Sequence, residues 1–118
     1  MSLFALSLAT LLLPAPKLSP LHTKGNQILD NRNKPVLLRG VNVACMEWSA
    51  DGEGHVLETV RVAVEDWHSN HIRLPLCEDR WFGKTSEQKD NGVSYRALVQ
   101  KVVDWCGSHG CYVMLDMH

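Results

Sequence analysis

Apolar residues along the chain fall into three short runs, separated by two stretches of helical periodicity. The first run begins at Val36, Leu37 and Leu38 and resumes at Val41 and Val43; it predicts a strand over 36–44. The second, "HIRLPL", predicts a strand over 71–76, and the third, "CYVMLDM", a strand over 111–117. Each has strand length, is rich in branched side chains and is bounded by turn residues. Between the first two runs, Leu57, Val60, Val64 and Trp67 recur at spacings of three and four. That stripe predicts a helix over 55–69, with Asn70 as its left-handed stop. Glu58, Arg61 and Glu65 lie on its other side at pairing distance. Tyr95, Leu98, Val99, Val102 and Cys106 predict a second helix over 95–108, with Ser94 as N-cap and Gly110 as terminator. Upstream, the short apolar step Ile28-Leu29 and the turn "DNRNKP" predict a small hairpin leading into the first strand. Residues 49–55 and 77–94 are polar and read as loops.

The order strand, helix, strand, helix, strand requires parallel strands with helices covering them. The two halves echo each other: Asp66-Trp67 and Asp104-Trp105 each close an amphipathic helix before a tight turn and an apolar strand. A (β/α) barrel and a doubly wound sheet both produce this pattern.

Composition narrows the class without deciding it. The chain is 45% hydrophobic and 21% charged, with a net charge of −1 and both signs interspersed. Neither sign is clustered enough for a nucleic-acid arm or an anionic-membrane patch. The start differs from the rest. Leu3 to Leu13 is an apolar run too short to span a bilayer as a helix, followed by Pro14, Pro16 and Pro20. It resembles the hydrophobic region of a secretory signal, although no Lys or Arg precedes it and no small-x-small cleavage site follows. The expectation is a leader over 1–21, one folded unit over 22–118, and a secreted or periplasmic location, with a cytoplasmic protein as the alternative. Cys45, Cys77, Cys106 and Cys111 lack Cys-x-x-Cys spacing, which disfavours a zinc ribbon or redox motif. Free buried thiols are the favoured reading; Cys45 and Cys77 are the better pair for a bridge, since each follows a strand.

In β/α proteins chemistry gathers at the C-terminal ends of strands. The first strand ends near Asn42 and is followed by Cys45, Met46, Glu47 and Trp48. The second carries Arg73 and is followed by Glu78, Asp79, Arg80, Trp81 and Phe82; the third ends in Asp116 and His118. Arg73 sits between Ile72 and Leu74, so it points to the face opposite theirs. A guanidinium in so apolar a run needs a partner, and Asp116 on the next strand is a candidate. His68 with His71, and Asp116 with His118, find no third ligand at metal-site spacing, so no metal or cofactor is expected. There is neither a phosphate-binding glycine loop nor a serine nucleophile elbow. Trp48, Trp81 and Phe82 lie in predicted loops on the strand-end face, where they suit stacking on a sugar ring and equally suit anchoring their own loops. Trp67 and Trp105, on helix stripes, are expected in the core.

The strings "LLRGVN" (37–42), "NHIRLPL" (70–76) and "YVMLDMH" (112–118) resemble the first three barrel strands of the family 5 glycoside hydrolases, the cellulase-like enzymes of clan A. "GNQILDNRNKPVLLRGVN" resembles the hairpin that enters that barrel, so the likeness covers 22–118. It implies an incomplete (β/α)8 TIM barrel: a hairpin, three strands and two helices of a fold that typically takes about 250 residues. It implies hydrolysis of β-linked polysaccharide or oligosaccharide with retention, by two glutamates about 5–5.5 Å apart. Arg73 matches the arginine that supports the nucleophile's carboxylate, and His118 the histidine that lines the site around the cleaved sugar. By position, Trp48 and Trp81 would lie near the sugar cleft as substrate-binding residues. The family's Asn-Glu-Pro-like acid/base motif and its strand-seven nucleophile have no counterpart: no Asn-Glu pair occurs, and none of Glu47, Glu53, Glu58, Glu65, Glu78 or Glu87 matches either position. The resemblance therefore implies that both catalytic glutamates lie outside this chain, that the chain alone is inactive, and that its open edges favour self-association. A non-catalytic carbohydrate-binding stub and an unrelated small α/β protein are the alternatives.

Overall fold

The computed structural model describes residues 18–118. The apolar run expected as a leader lies outside the described residues, apart from the last positions of 1–21. Strands β1 (His22–Lys24) and β2 (Gln27–Leu29) pair antiparallel around Gly25-Asn26. Gly25 takes φ 61°, the left-handed conformation that a two-residue hairpin turn demands. The "DNRNKP" segment is a second turn rather than the hairpin turn itself. There the Asp30 carboxylate accepts from the Arg32 and Lys34 amides at 2.8 and 2.9 Å, and Leu29 bridges to Pro35.

The second sheet is parallel, in the order β3 (Gly40–Asn42), β4 (His71–Leu76), β5 (Tyr112–Met117). Val41, Ile72 and Val113 align in register on one face, and Asn42, Arg73 and Met114 on the other. β3 begins later than the run 36–44 suggests: Val36 bonds back to Ile28 O of β2 at 2.8 Å, and Leu37 and Arg39 are held by Asn70. The Asn70 side-chain amide donates to Leu37 O at 2.9 Å, and its oxygen accepts from the Arg39 amide at 2.7 Å. At Gly40 the strands meet closely: a Cβ there would stand 1.7 Å from the His71 carbonyl oxygen.

Helix α1 runs Val56–Arg61 and continues as a π-helical turn over Val62–Asp66. The wider turn displaces the downstream positions by one residue. Val56, Val60, Ala63 and Val64 are consequently buried, whereas Trp67, expected in the core, is 66% exposed. The left-handed residue is His68 (φ 56°), not Asn70. On the outer face Arg61 bonds both Glu58 and Glu65 at 2.8 Å. A short helix α2 (Glu78–Trp81) occupies the start of the expected loop. Helix α3 spans Val93–Ser108 and buries Tyr95, Val99, Val102 and Cys106. Its cap is Asp90 rather than Ser94: the Asp90 carboxylate accepts from the Gly92 and Ser94 amides at 3.1 and 2.8 Å.

α1 and α3 pack over the face of the sheet that carries Val43, Ile72, Leu74 and Leu76, and Met46 and Cys45 close the same core. All four cysteines are free. Cys45 and Cys77 therefore form no bridge, and Cys106 meets Cys111: the Cys111 amide donates to Cys106 O at 2.9 Å, and the hydrogen bond to Cys111, together with burial, pushes the Cys106 thiol up. Trp105 is half-buried and stacks on His109, with ring centroids 3.9 Å apart. No helix among the described residues is long and apolar enough to cross a membrane.

Candidate functional site

The parallel register sets Asn42, Arg73 and Met114 side by side on the sheet face opposite the helices. Asp116 lies two residues beyond Met114, on the same face of β5. Arg73 Nη2 bonds Asp116 Oδ2, and Nη1 reaches Asn42 Oδ1 at 3.4 Å. The expected Arg73–Asp116 partnership is therefore present. It sits in a pair of side chains each about a third exposed, 32% and 34%.

His118 joins this pair. Its backbone extends the β4–β5 ladder, with the His118 amide donating to Leu76 O and His118 O accepting from the Glu78 amide, both at 2.9 Å. Its Nε2 lies 3.1 Å from Asp116 Oδ2 and 3.3 Å from Arg73 Nη2. The bonds from His118 and from Arg73 hold the Asp116 carboxyl below the usual carboxylate range. On its other side, His118 Nδ1 lies 2.9 Å from Glu47 Oε1.

Glu47 was not singled out by sequence reasoning, because the loop after β3 carries no local signal for where its carboxylate points. The only hint was an acidic residue placed between the apolar Met46 and Trp48. Two further residues, to which the sequence assigned no such role, hold that loop. The buried Tyr95 hydroxyl donates to Met46 O at 2.7 Å and accepts from the Cys77 amide at 3.1 Å. Arg80 Nη1 donates to Glu47 O at 3.0 Å, and Arg80 Nη2 pairs with Glu87 at 2.9 Å. One helix residue thus ties together the segments that follow β3 and β4.

The two tryptophans separate. Trp48 is 53% exposed, and its indole N–H donates to Glu53 Oε1 at 2.9 Å, which fixes the ring while leaving apolar surface free. Trp81 ends α2 and is half-buried against the core, while its carbonyl accepts from Arg96. Among the described residues no three His, Cys, Asp or Glu side chains gather as a metal site. The centre between Asp116 and His118 is held instead by the Arg73 guanidinium, a fixed cation that orders acceptors around it. Chemically, the arrangement offers a fan of donors and acceptors, suited to hydroxyl-rich ligands and to bracing a further carboxylate.

Comparison with known proteins gives a consistent answer. The family model for cellulase, glycosyl hydrolase family 5, matches residues 29–118. Endoglucanase MaCel5A of Microbulbifer sp. (strain ALW1) is 28% identical over 108 residues, covering 89% of this chain and 20% of that protein. The structure of Cellulase Cel5C_n superposes with a TM-score of 0.64 at 28% identity, over 89% of this chain and 32% of that one. The β-glucanase SdGluc5_26A from Saccharophagus degradans shares the fold at 24% identity, with a TM-score of 0.66 over 87% of this chain and 29% of that one. The chain thus spans about a fifth of its curated relative and about a third of the solved structures. With sequence and fold in agreement over nearly all the described residues, the chain belongs to the cellulase family, glycosyl hydrolase family 5.

Proposed function

We propose that residues 22–118 form the N-terminal part of the barrel of a retaining glycoside hydrolase that acts on β-linked glucan. The hairpin and the strands and helices that follow it would be the first portion of an incomplete (β/α)8 barrel. Residues 1–21 would be a leader that sends the protein to a secreted or periplasmic location. The carrying observation is the cluster of Arg73, Asp116, His118 and Glu47 at the C-terminal ends of parallel strands, where barrel enzymes keep their chemistry. Arg73 and His118 would support the active site, with Trp48 and Trp81 as sugar contacts. Two observations support a glucan substrate: the endoglucanase name of MaCel5A and the cellotetraose bound by the S. degradans enzyme.

Retaining hydrolysis needs two carboxyls facing the scissile bond, and no glutamate here matches either position. The purified 118-residue chain should therefore release no more reducing sugar from β-glucan than its Arg73→Ala/His118→Ala variant. Turnover above that control refutes the reading.

The exposed Trp48 favours one second reading, a chain that binds sugar without turnover. Titration with cello-oligosaccharides should then quench or shift its tryptophan fluorescence, and a flat response rules binding out at the concentrations reached.

A further inference from the structure

Glu47 Oε1 lies 2.9 Å from His118 Nδ1. An ionised carboxylate only accepts hydrogen bonds, so this contact and the 3.1 Å contact of Nε2 with Asp116 both call for a ring hydrogen, and a neutral ring carries one. Asp116 Oδ2 already accepts from Arg73, so that hydrogen goes to Nδ1 and the shorter contact, with Glu47. The opposite ring nitrogen, Nε2, faces the Arg73 guanidinium at 3.3 Å and the Asp116 carboxylate at 3.1 Å. When the ring is neutral, a bare Nε2 accepts from Arg73; when it is charged, Nε2–H donates to Asp116. In both forms Nδ1–H stays on Glu47, and the proton that comes and goes is the one on Nε2. Glu47 is well placed for this, because the carbonyls of Met46 and Glu47 are pinned by Tyr95 and Arg80 at 2.7 and 3.0 Å.

We propose that Glu47 is a positioning residue, which holds His118 as the Nδ1–H tautomer and turns Nε2 toward Arg73 and Asp116 as the working nitrogen of the site. The inference deepens the sugar-site reading of this cluster and rests on it. Its structural half is testable without sugar.

The experiment is long-range proton–nitrogen correlation of the His118 ring in the full 118-residue chain, above the pH at which the ring loses its charge. Wild type should show Nδ1–H in excess over Nε2–H by about tenfold or more, the scale of a charge-assisted hydrogen bond. Glu47→Ala, and Glu47→Met, which keeps the reach of the side chain but not its oxygens, should each reduce that excess about tenfold while keeping the wild-type amide spectrum. Three results overturn the proposal: a wild-type ring with the tautomer mixture of free histidine, an Nδ1–H excess that survives both substitutions, or loss of the folded amide spectrum in both, which would make Glu47 a folding residue. Adding cellotetraose to the same samples separates the two levels. Movement of the wild-type His118 signals supports the sugar site. Still signals alongside a Glu47-dependent tautomer reject the sugar reading and leave the positioning role standing.

Discussion

Asp116 has two polar neighbours of different kinds: the Arg73 guanidinium, which donates to it, and the His118 ring, whose Nε2 lies 3.1 Å away and donates to it when the ring is charged. Both hold its carboxyl below the ordinary value of 3.8, with His118 the larger influence. A depressed carboxyl binds its proton less readily folded than unfolded, so its stabilisation is complete above the ordinary value and is lost as pH falls through the lower, folded one. Wild type should thus resist urea better than Asp116→Asn near neutral pH, and the gap between them should close on acidification below about pH 4. Urea midpoints measured at stepped pH check this, and a gap that stays constant contradicts it. The effect should be modest, since the side chains are a third exposed. The Arg73–Asp116 pair was legible in the sequence because a lone cation in an apolar strand needs a partner on the neighbouring strand. Glu47 was not, because its contact with His118 depends on the path of a loop that periodicity does not describe.

At the level of elements, Tyr95 shows how a core residue of a helix organises loops. Its ring belongs to the apolar stripe of α3, while its hydroxyl joins Met46 O to the Cys77 amide, and burial pushes its phenol up. Tyr95→Phe keeps the ring and leaves both backbone groups without that partner, at a cost of about 1–3 kcal/mol. Denaturant unfolding should register that loss. The His118 amide signal should move with it, since the Cys77–Glu78 segment also receives the end of β5. Hydrophobic spacing sufficed to place three parallel strands and two helices, because the buried face imposes its period on the sequence. It missed what is not periodic. The cap of α3 comes from Asp90, outside the helix, and the π-helical turn rotates Trp67 off the stripe to which its spacing assigned it. β3 begins late because the residues before it are held by Asn70, read as a helix stop, whose side-chain amide bonds Leu37 and Arg39.

Seen whole, the described residues cover one face of the parallel sheet with helices and leave the other to the Arg73 cluster and Met114, with β3 and β5 as unpaired edges. Met114, Leu115 and Met117 are each about half exposed along β5. Beside β3 an open cleft of about 450 Å³ is lined by Val41, Val43, Val62, Ala63 and Trp67. Unpaired strand edges flanked by apolar side chains promote association. Sedimentation velocity over a concentration series should accordingly show the 118-residue chain associating, while Met114→Lys with Met117→Lys shifts it toward monomer. A monomeric wild type at all concentrations would contradict this expectation.

The contact at Gly40 bears on which sequences can inherit this fold. A methyl group there would collide with the His71 carbonyl, so every alternative amino acid must push β3 away from β4 and carry Asn42 off from Arg73. Gly107, with no atom within 4 Å of where a side chain would begin, carries no such restriction. Two glycines that look alike on the page thus have opposite histories open to them: one is free to drift, and the other is held by the spacing of two strands.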